Sequence, residues 1–170
     1  MRHFGKLMVA ALGVLGLIAA GSATALAHER HSLLQFDSMV GVNGAAVGTV
    51  DDRGITGGGL PWVLASGRGE VDRNGEVEVR VTGLVIPVPP FNGTNPVPMF
   101  GAIVSCVTAH HVIVNVSTRL FPASVPGGDS TINDKVTLPR HCDNPILYVT
   151  SPGGAWFAKS SAGEDEGRDD

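Results

Sequence analysis

Phe100-Gly-Ala-Ile-Val-Ser-Cys106-Val-Thr-Ala-His-His-Val-Ile-Val-Asn-Val-Ser117 is the stretch on which the fold turns. From Gly101 to Thr108 both alternating sets of side chains are apolar. Ala102, Val104 and Cys106 lie on one side, Ile103 and Val107 on the other. That pattern predicts a strand buried on both faces. His111 to Thr118 predicts its partner, with Val112, Val114 and Val116 inward and a tight turn at Thr108-Ala-His110.

Working outward, the same habit of strand and turn recurs. Val63–Val71 runs into Asp72-Arg-Asn-Gly75, and Asn-Gly is a strong hairpin signal. The return strand Glu76–Thr82 alternates without a break: Val77, Val79 and Val81 face a core, while Glu76, Glu78, Arg80 and Thr82 face water. Further strands are expected at Leu33–Val40, Ala45–Val50, Ser130–Leu138 and Ile146–Thr150, with Ala155–Ala158 as a last edge. The chain holds 23 glycines and 11 prolines, and no segment beyond residue 27 carries a sustained helical period. The predicted fold is therefore all-β: a single β-sandwich, immunoglobulin-like or jelly-roll-like, of about eight or nine antiparallel strands.

Residues 1–27 read as a secretory signal peptide. Arg2, His3 and Lys6 form a basic start, Leu7–Ala20 an apolar run, and Ala25-Leu-Ala27 a cleavage site for signal peptidase. The apolar run is short for a membrane span, so no span is expected after cleavage. The domain is placed at 28–159, and 160–170 is read as a disordered acidic tail. Export sets the chemistry of Cys106 and Cys142, which are expected to pair as a disulfide in an oxidising compartment. After cleavage ten basic residues stand against sixteen acidic ones, a net charge of −6, of which the tail Glu164–Asp170 supplies −4. This lacks the basic footprint of a nucleic-acid binder.

Several motifs are ruled on by their neighbours. Gly57-Gly-Gly59 is followed by Leu-Pro-Trp62 rather than by the Lys-Ser/Thr of a phosphate loop. It reads as a bend whose glycines take positive φ, with Trp62 packing inward. Val88–Pro98, stiffened by Pro89, Pro90, Pro96 and Pro98, is the longest irregular connection. Long loops on a rigid scaffold commonly carry binding. Phe91, Asn92, Thr94 and Asn95, with Trp62 on the neighbouring loop Gly54–Trp62, form the expected contact set. Asn92-Gly-Thr94 and Asn115-Val-Ser117 match the N-glycosylation pattern, the second in mid-strand. Glu76 and Glu78 sit on one strand beside Arg80, a solvated face rather than a glycosidase pair. No Gly-x-Ser-x-Gly elbow occurs.

Cleavage after Ala27 would leave His28-Glu-Arg-His31 at the new N-terminus. A free α-amine and imidazole at His28, with a further imidazole from His31, His110, His111 or His141, suit Cu(II). In that first residue and in the inferred fold the chain resembles histidine-brace copper proteins, such as lytic polysaccharide monooxygenases and CopC-like carriers; their other motifs are missing. Over about residues 33–159 it resembles small exported bacterial proteins of unknown function, on Gly58-Gly-Leu-Pro-Trp62, Gly93-Thr-Asn-Pro96, Ser105-Cys106 and Trp156-Phe-Ala158. That resemblance implies one domain and an exported location, and no activity. The leading expectation is a secreted, non-catalytic β-sandwich module without a cofactor, binding an extracellular or cell-envelope ligand. Copper binding through His28 is the alternative, and a small secreted hydrolase the third.

Overall fold

Alternation along Glu76–Thr82 builds the first hairpin. The structure, a computed structural model, describes residues 32–161, and in it Val77, Val79 and Val81 are buried while Glu76, Glu78 and Arg80 are exposed. The hairpin turn has three residues, Arg73–Gly75. Gly75 N donates to Asp72 O at 3.1 Å, and Gly75 takes φ 85°. The Asp72 carboxylate then accepts from Asn74 N (2.8 Å) and Glu76 N (2.9 Å), which locks the register. A Cβ at Gly75 would also stand 1.9 Å from Val136 O, so glycine is required twice over.

Ten strands follow in chain order: β1 Ser32–Phe36, β2 Met39–Gly41, β3 Ser66–Asp72, β4 Glu76–Thr82, β5 Met99–Val107, β6 Ile113–Ser117, β7 Phe121–Pro122, β8 Ser130–Lys135, β9 Asp143–Thr150 and β10 Trp156–Ser160. They exceed the expected eight or nine because β2 and β7 have only three and two residues. One sheet runs β1-β3-β4-β8; the other runs β2-β10-β9-β5-β6, with β7 on the end of β5, and every strand pair is antiparallel. The two sheets share one apolar core, and the fold is the all-β sandwich that the sequence predicts. Val71, Val77, Val79, Val81 and Ile132 of the four-stranded sheet meet Phe100, Ala102, Val104, Leu147 and Val149 of the other within it. Trp62 stacks on Phe157 at 3.9 Å between ring centroids, with Phe100 edge-on to both, closing one end of that core. The Cys106–Cys142 disulfide ties β5 to the segment that leads into β9.

β5 is buried on both faces, as its composition requires, but the second cover is not a sheet. Residues 42–59 fold as a strap over the outer face of the six-stranded sheet. Ile55 and Arg53 of the strap are buried, alongside the outward side chains Ile103 and Ser105 of β5, Tyr148 of β9 and Trp156 of β10. The strap is pinned by Gly58 N to Trp156 O (2.8 Å) and Trp156 N to Thr56 O (2.9 Å).

Four expectations are corrected here. Leu33–Val40 is not one strand: the chain breaks at Asp37-Ser38, and β1 and β2 join different sheets. Ala45–Val50 is not a strand: Gly44 and Gly48 take φ 54° and 67°, which gives a 3-10 turn at Gly44–Ala46 and then irregular backbone. Gly57–Gly59 does not use positive φ. Its glycines permit close approach instead, since a Cβ on Gly57 would lie 2.1 Å from Ala46 O. Finally, β10 is interior, between β2 and β9, and runs through Ser160. Ser161 N bonds Ser38 O at 3.3 Å, so the folded part extends past 159.

Candidate functional site

The rim loops do not present the side chains expected of them. Trp62 is 3% exposed and belongs to the core. Asn95 is fully buried and acts as an internal bracket. Its Nδ2 donates to Val97 O (2.7 Å) and Ser124 O (2.9 Å), and its Oδ1 accepts from Val97 N (2.8 Å). Phe91 packs against the core, and the Thr94 hydroxyl donates to Phe91 O at 2.7 Å. Asn92, in the left-handed region at φ 46°, is the exposed member of the set. Val88–Pro98 is thus a loop held by its own side chains, with the amide of Asn95 spent on backbone.

His28 and His31 lie outside the described residues. His110 and His111 sit in the turn between β5 and β6, where His111 takes φ 59°, and His141 precedes Cys142; all three are exposed. Among the described residues no group of three or more His, Cys, Asp or Glu is placed to hold a metal ion. Asn115 is in β6, and its side chain donates to Arg53 O at 2.8 Å.

Three surface depressions lie along β4 and β8, on the outer face of the four-stranded sheet. One of them, an open hollow of about 430 Å³, is lined by Gln35, Asp37, Arg68, Glu70, Glu78, Arg80, Thr131 and Asn133 among others. Hollows of about 320 and 230 Å³ adjoin it around Glu76–Lys135 and Thr82–Asp129. Register explains the pattern. Outward residues of β3 meet outward residues of β4 as Ser66 opposite Thr82, Arg68 opposite Arg80 and Glu70 opposite Glu78. On the flanks Gln35 of β1 faces Glu70, while Thr131 and Asn133 of β8 face Arg80 and Glu78.

Between the Ser66–Thr82 and Glu76–Lys135 pairs the face carries two central rows across the strands: an acidic one, Gln35–Glu70–Glu78–Asn133, and a basic one, Arg68–Arg80–Thr131, with Asp37 at its β1 end. The rows lie about 7 Å apart, two residues along a strand. Like charges directly opposite one another destabilise a sheet, by amounts of the order of the few tenths of a kcal/mol that good pairs contribute. Glu78 Oε1 accepts from Asn133 Nδ2 at 3.3 Å, and Glu76 pairs with Lys135 at 3.6 Å. Glu76 and Glu78 thus stand on an open strand face with separate partners.

At the border of this face Arg119 reaches Asp134 of β8. Its Nη2 and Nε donate to Oδ1 at 2.8 and 3.1 Å, and its backbone N–H to Oδ2 at 2.8 Å. Hydrogen bonds from the Arg119 side chain, then from its backbone, hold the Asp134 carboxyl down at about 2.

The outer face of the other sheet is chemically opposite. Tyr148 OH donates to Asp51 Oδ2 at 2.8 Å, and Asp51 Oδ1 accepts from Arg53 N and Ile55 N, both at 3.0 Å. The buried Arg53 guanidinium donates to Asn144 O (2.8 Å) and lies 3.5 Å from Ser105 Oγ. Burial, and then the hydrogen bond to Asp51, push the Tyr148 phenol well above its ordinary value. These groups are turned inward and spent on one another.

The sequence matches no family model, no curated protein and no solved structure. Among the described residues no helix is long and apolar enough to cross a membrane.

Proposed function

We propose that this is an exported, non-catalytic interaction module whose contact surface is the outer face of the four-stranded sheet. A leader of signal-peptide composition and the disulfide support export. The observation that carries the contact surface is the register of β3 against β4. It aligns Arg68 with Arg80 and Glu70 with Glu78, like charge opposite like, an arrangement that costs a sheet local stability. Departures from the rules of sheet pairing gather at functional surfaces. The partner is a macromolecule of the cell exterior carrying the converse pattern of charge, met on a rigid platform rather than on a loop.

Site-specific photo-crosslinking of the exported protein tests this reading. A photoreactive residue at Thr131 or Asn133 is expected to yield higher-mass adducts. The same residue at Asp52, exposed on the strap over the opposite sheet, is expected to yield none. Adducts in equal amount from both faces, or from neither, contradict the proposed surface.

A further inference from the structure

The six-stranded sheet ends at β6, and we infer that this edge pairs with β6 of a second copy of the chain. The edge lies apart from the contact face proposed above and does not rest on it. Sheet edges carry unpaired N–H and C=O groups, and proteins guard them with shortness, charge, proline or bulges. The other sheet ends are guarded in this way. β2 has only three residues, β1 shifts register between Ser32 and Leu34, and β8 carries Asp134 and Lys135 with Arg119 bonded across to it. Val112-Ile-Val-Asn-Val-Ser-Thr118 holds no charge, proline or glycine, and β6 pairs with β5 without a shift. Among the described residues no strand lies beyond it.

Register shows which groups this edge offers. Thr118 N donates to Ala102 O, and Thr108 N to Val112 O, both at 2.9 Å. The even-numbered residues of the stretch therefore bond to β5, and the N–H and C=O groups of Ile113, Asn115 and Ser117 point away from it. Antiparallel pairing of two copies about a two-fold axis at Asn115 uses all of these groups. Asn115 then meets Asn115 of the second copy, Ile113 meets its Ser117 at either end, and each residue pair exchanges two hydrogen bonds. Sliding one copy by two residues leaves an end unpaired, because His111 at φ 59° and Arg119, held by Asp134, lie outside the strand. On the core side Val114 comes beside Val116 of the second copy, and both are partly exposed in the single chain. One uncharged segment thus supplies every partner it needs, which favours a second copy over an unrelated strand. The contact is only five residues a side, so the pair is weak and forms at high concentration. Backbone bonds and valines hold it, so salt has little effect on it.

Sedimentation equilibrium on the disulfide-bonded protein tests this. The wild-type chain is expected to dimerise with rising concentration, alike in about 10 mM and about 0.5 M salt. Ile113→Lys/Ser117→Lys sets lysine opposite lysine at both ends of the contact, and Ile113→Glu/Ser117→Glu sets glutamate opposite glutamate; both positions are exposed. Each alone is expected to dimerise at least about tenfold more weakly, whereas an equimolar mixture in low salt restores the dimer. Ser117→Pro removes an outward N–H and none that faces β5. It is expected to weaken the dimer likewise, and it replaces a charged variant that misfolds by circular dichroism. A wild-type chain that stays monomeric at every concentration, a dimer that the charged variants leave intact, or a mixture that stays monomeric overturns the inference. If in the first case a photoreactive residue at Ser117 captures another protein, the edge serves that protein and not a second copy. Crosslinking from the four-stranded sheet is read below the concentration at which the chain pairs, so either surface can fail without the other.

Discussion

The two outer faces of the sandwich make opposite use of polar side chains. Over the six-stranded sheet, Asp51, Arg53, Tyr148, Ser105 and Asn144 are roofed by the strap and joined to one another or to backbone. Over the four-stranded sheet, Arg68, Arg80, Glu70 and Glu78 stand with like beside like on an open surface. Satisfied buried groups contribute stability and fix a unique arrangement. Polar contacts made on a solvent-facing surface contribute little to it. The contrast assigns folding to one side of the molecule and recognition to the other, and substitutions on the two faces should behave accordingly.

The largest effect is expected at the disulfide, which belongs to the covered sheet. Removing it as Cys106→Ala/Cys142→Ala frees a 36-residue loop in the unfolded chain. The expected loss is about 4 kcal/mol by loop entropy, read as a fall in the urea midpoint. Next comes Arg53→Leu, which strips a buried donor from Asn144 O and Ser105 Oγ. It is expected to cost roughly 2–4 kcal/mol in the same assay. A cost under about 0.5 kcal/mol would mean the strap is not held by this group, and would erase the contrast.

Tyr148 sharpens it spectroscopically, because it is the one tyrosine in the chain. Its raised pKa favours the neutral phenol in the fold. The stability it contributes is present below the ordinary value of 10.0 and is lost as pH rises through the folded value. Tyrosinate absorbance is therefore expected to appear only with alkaline unfolding. In Asp51→Asn, which removes the carboxylate beside it, ionisation moves to lower pH.

The effects then shrink on the open face. Arg68→Ser/Arg80→Ser is expected to change unfolding free energy by less than about 0.5 kcal/mol, and to raise it if anything, because the guanidinium pair is relieved. Smallest is the acid limb at Asp134. Its depressed pKa gives a contribution present above the ordinary carboxylate range and lost as pH falls through about 2. Arg119 is exposed, so salt screens the pair. Arg119→Ala is expected to move acid unfolding slightly toward higher pH, and 0.5 M salt to narrow the difference.

Local patterns were legible in the sequence, and long-range partnerships were not. Val77, Val79 and Val81 declare a half-buried strand by alternation, and the run 101–108 declares burial on both faces by having no polar side. What covers that second face was invisible. A glycine-rich strap has no period to read, and Ala45–Val50 reads as a strand because Val47, Thr49 and Val50 have strand propensity, while the positive φ of Gly44 and Gly48 breaks it. Likewise Ala155–Ala158 read as an edge because sequence order says nothing of the neighbours β2 and β9.

The open face was half legible. Glu76, Glu78 and Arg80 were recognised as solvated, but its significance lies in the cross-strand partners Glu70 and Arg68. Only the register set by the turn Arg73–Gly75 supplies those partners. Counting back from that turn as a three-residue loop would have placed them. Asn95 and Trp62 misled for the converse reason, since residue type does not reveal whether a polar or aromatic group faces a ligand or its own backbone.

The separation of the two faces is tested most directly by photo-crosslinking from Asn133 in the Arg68→Ser/Arg80→Ser background. The account predicts a protein as resistant to urea as the wild type from which the adducts have disappeared. Undiminished adducts, or a chain that no longer folds, would contradict it.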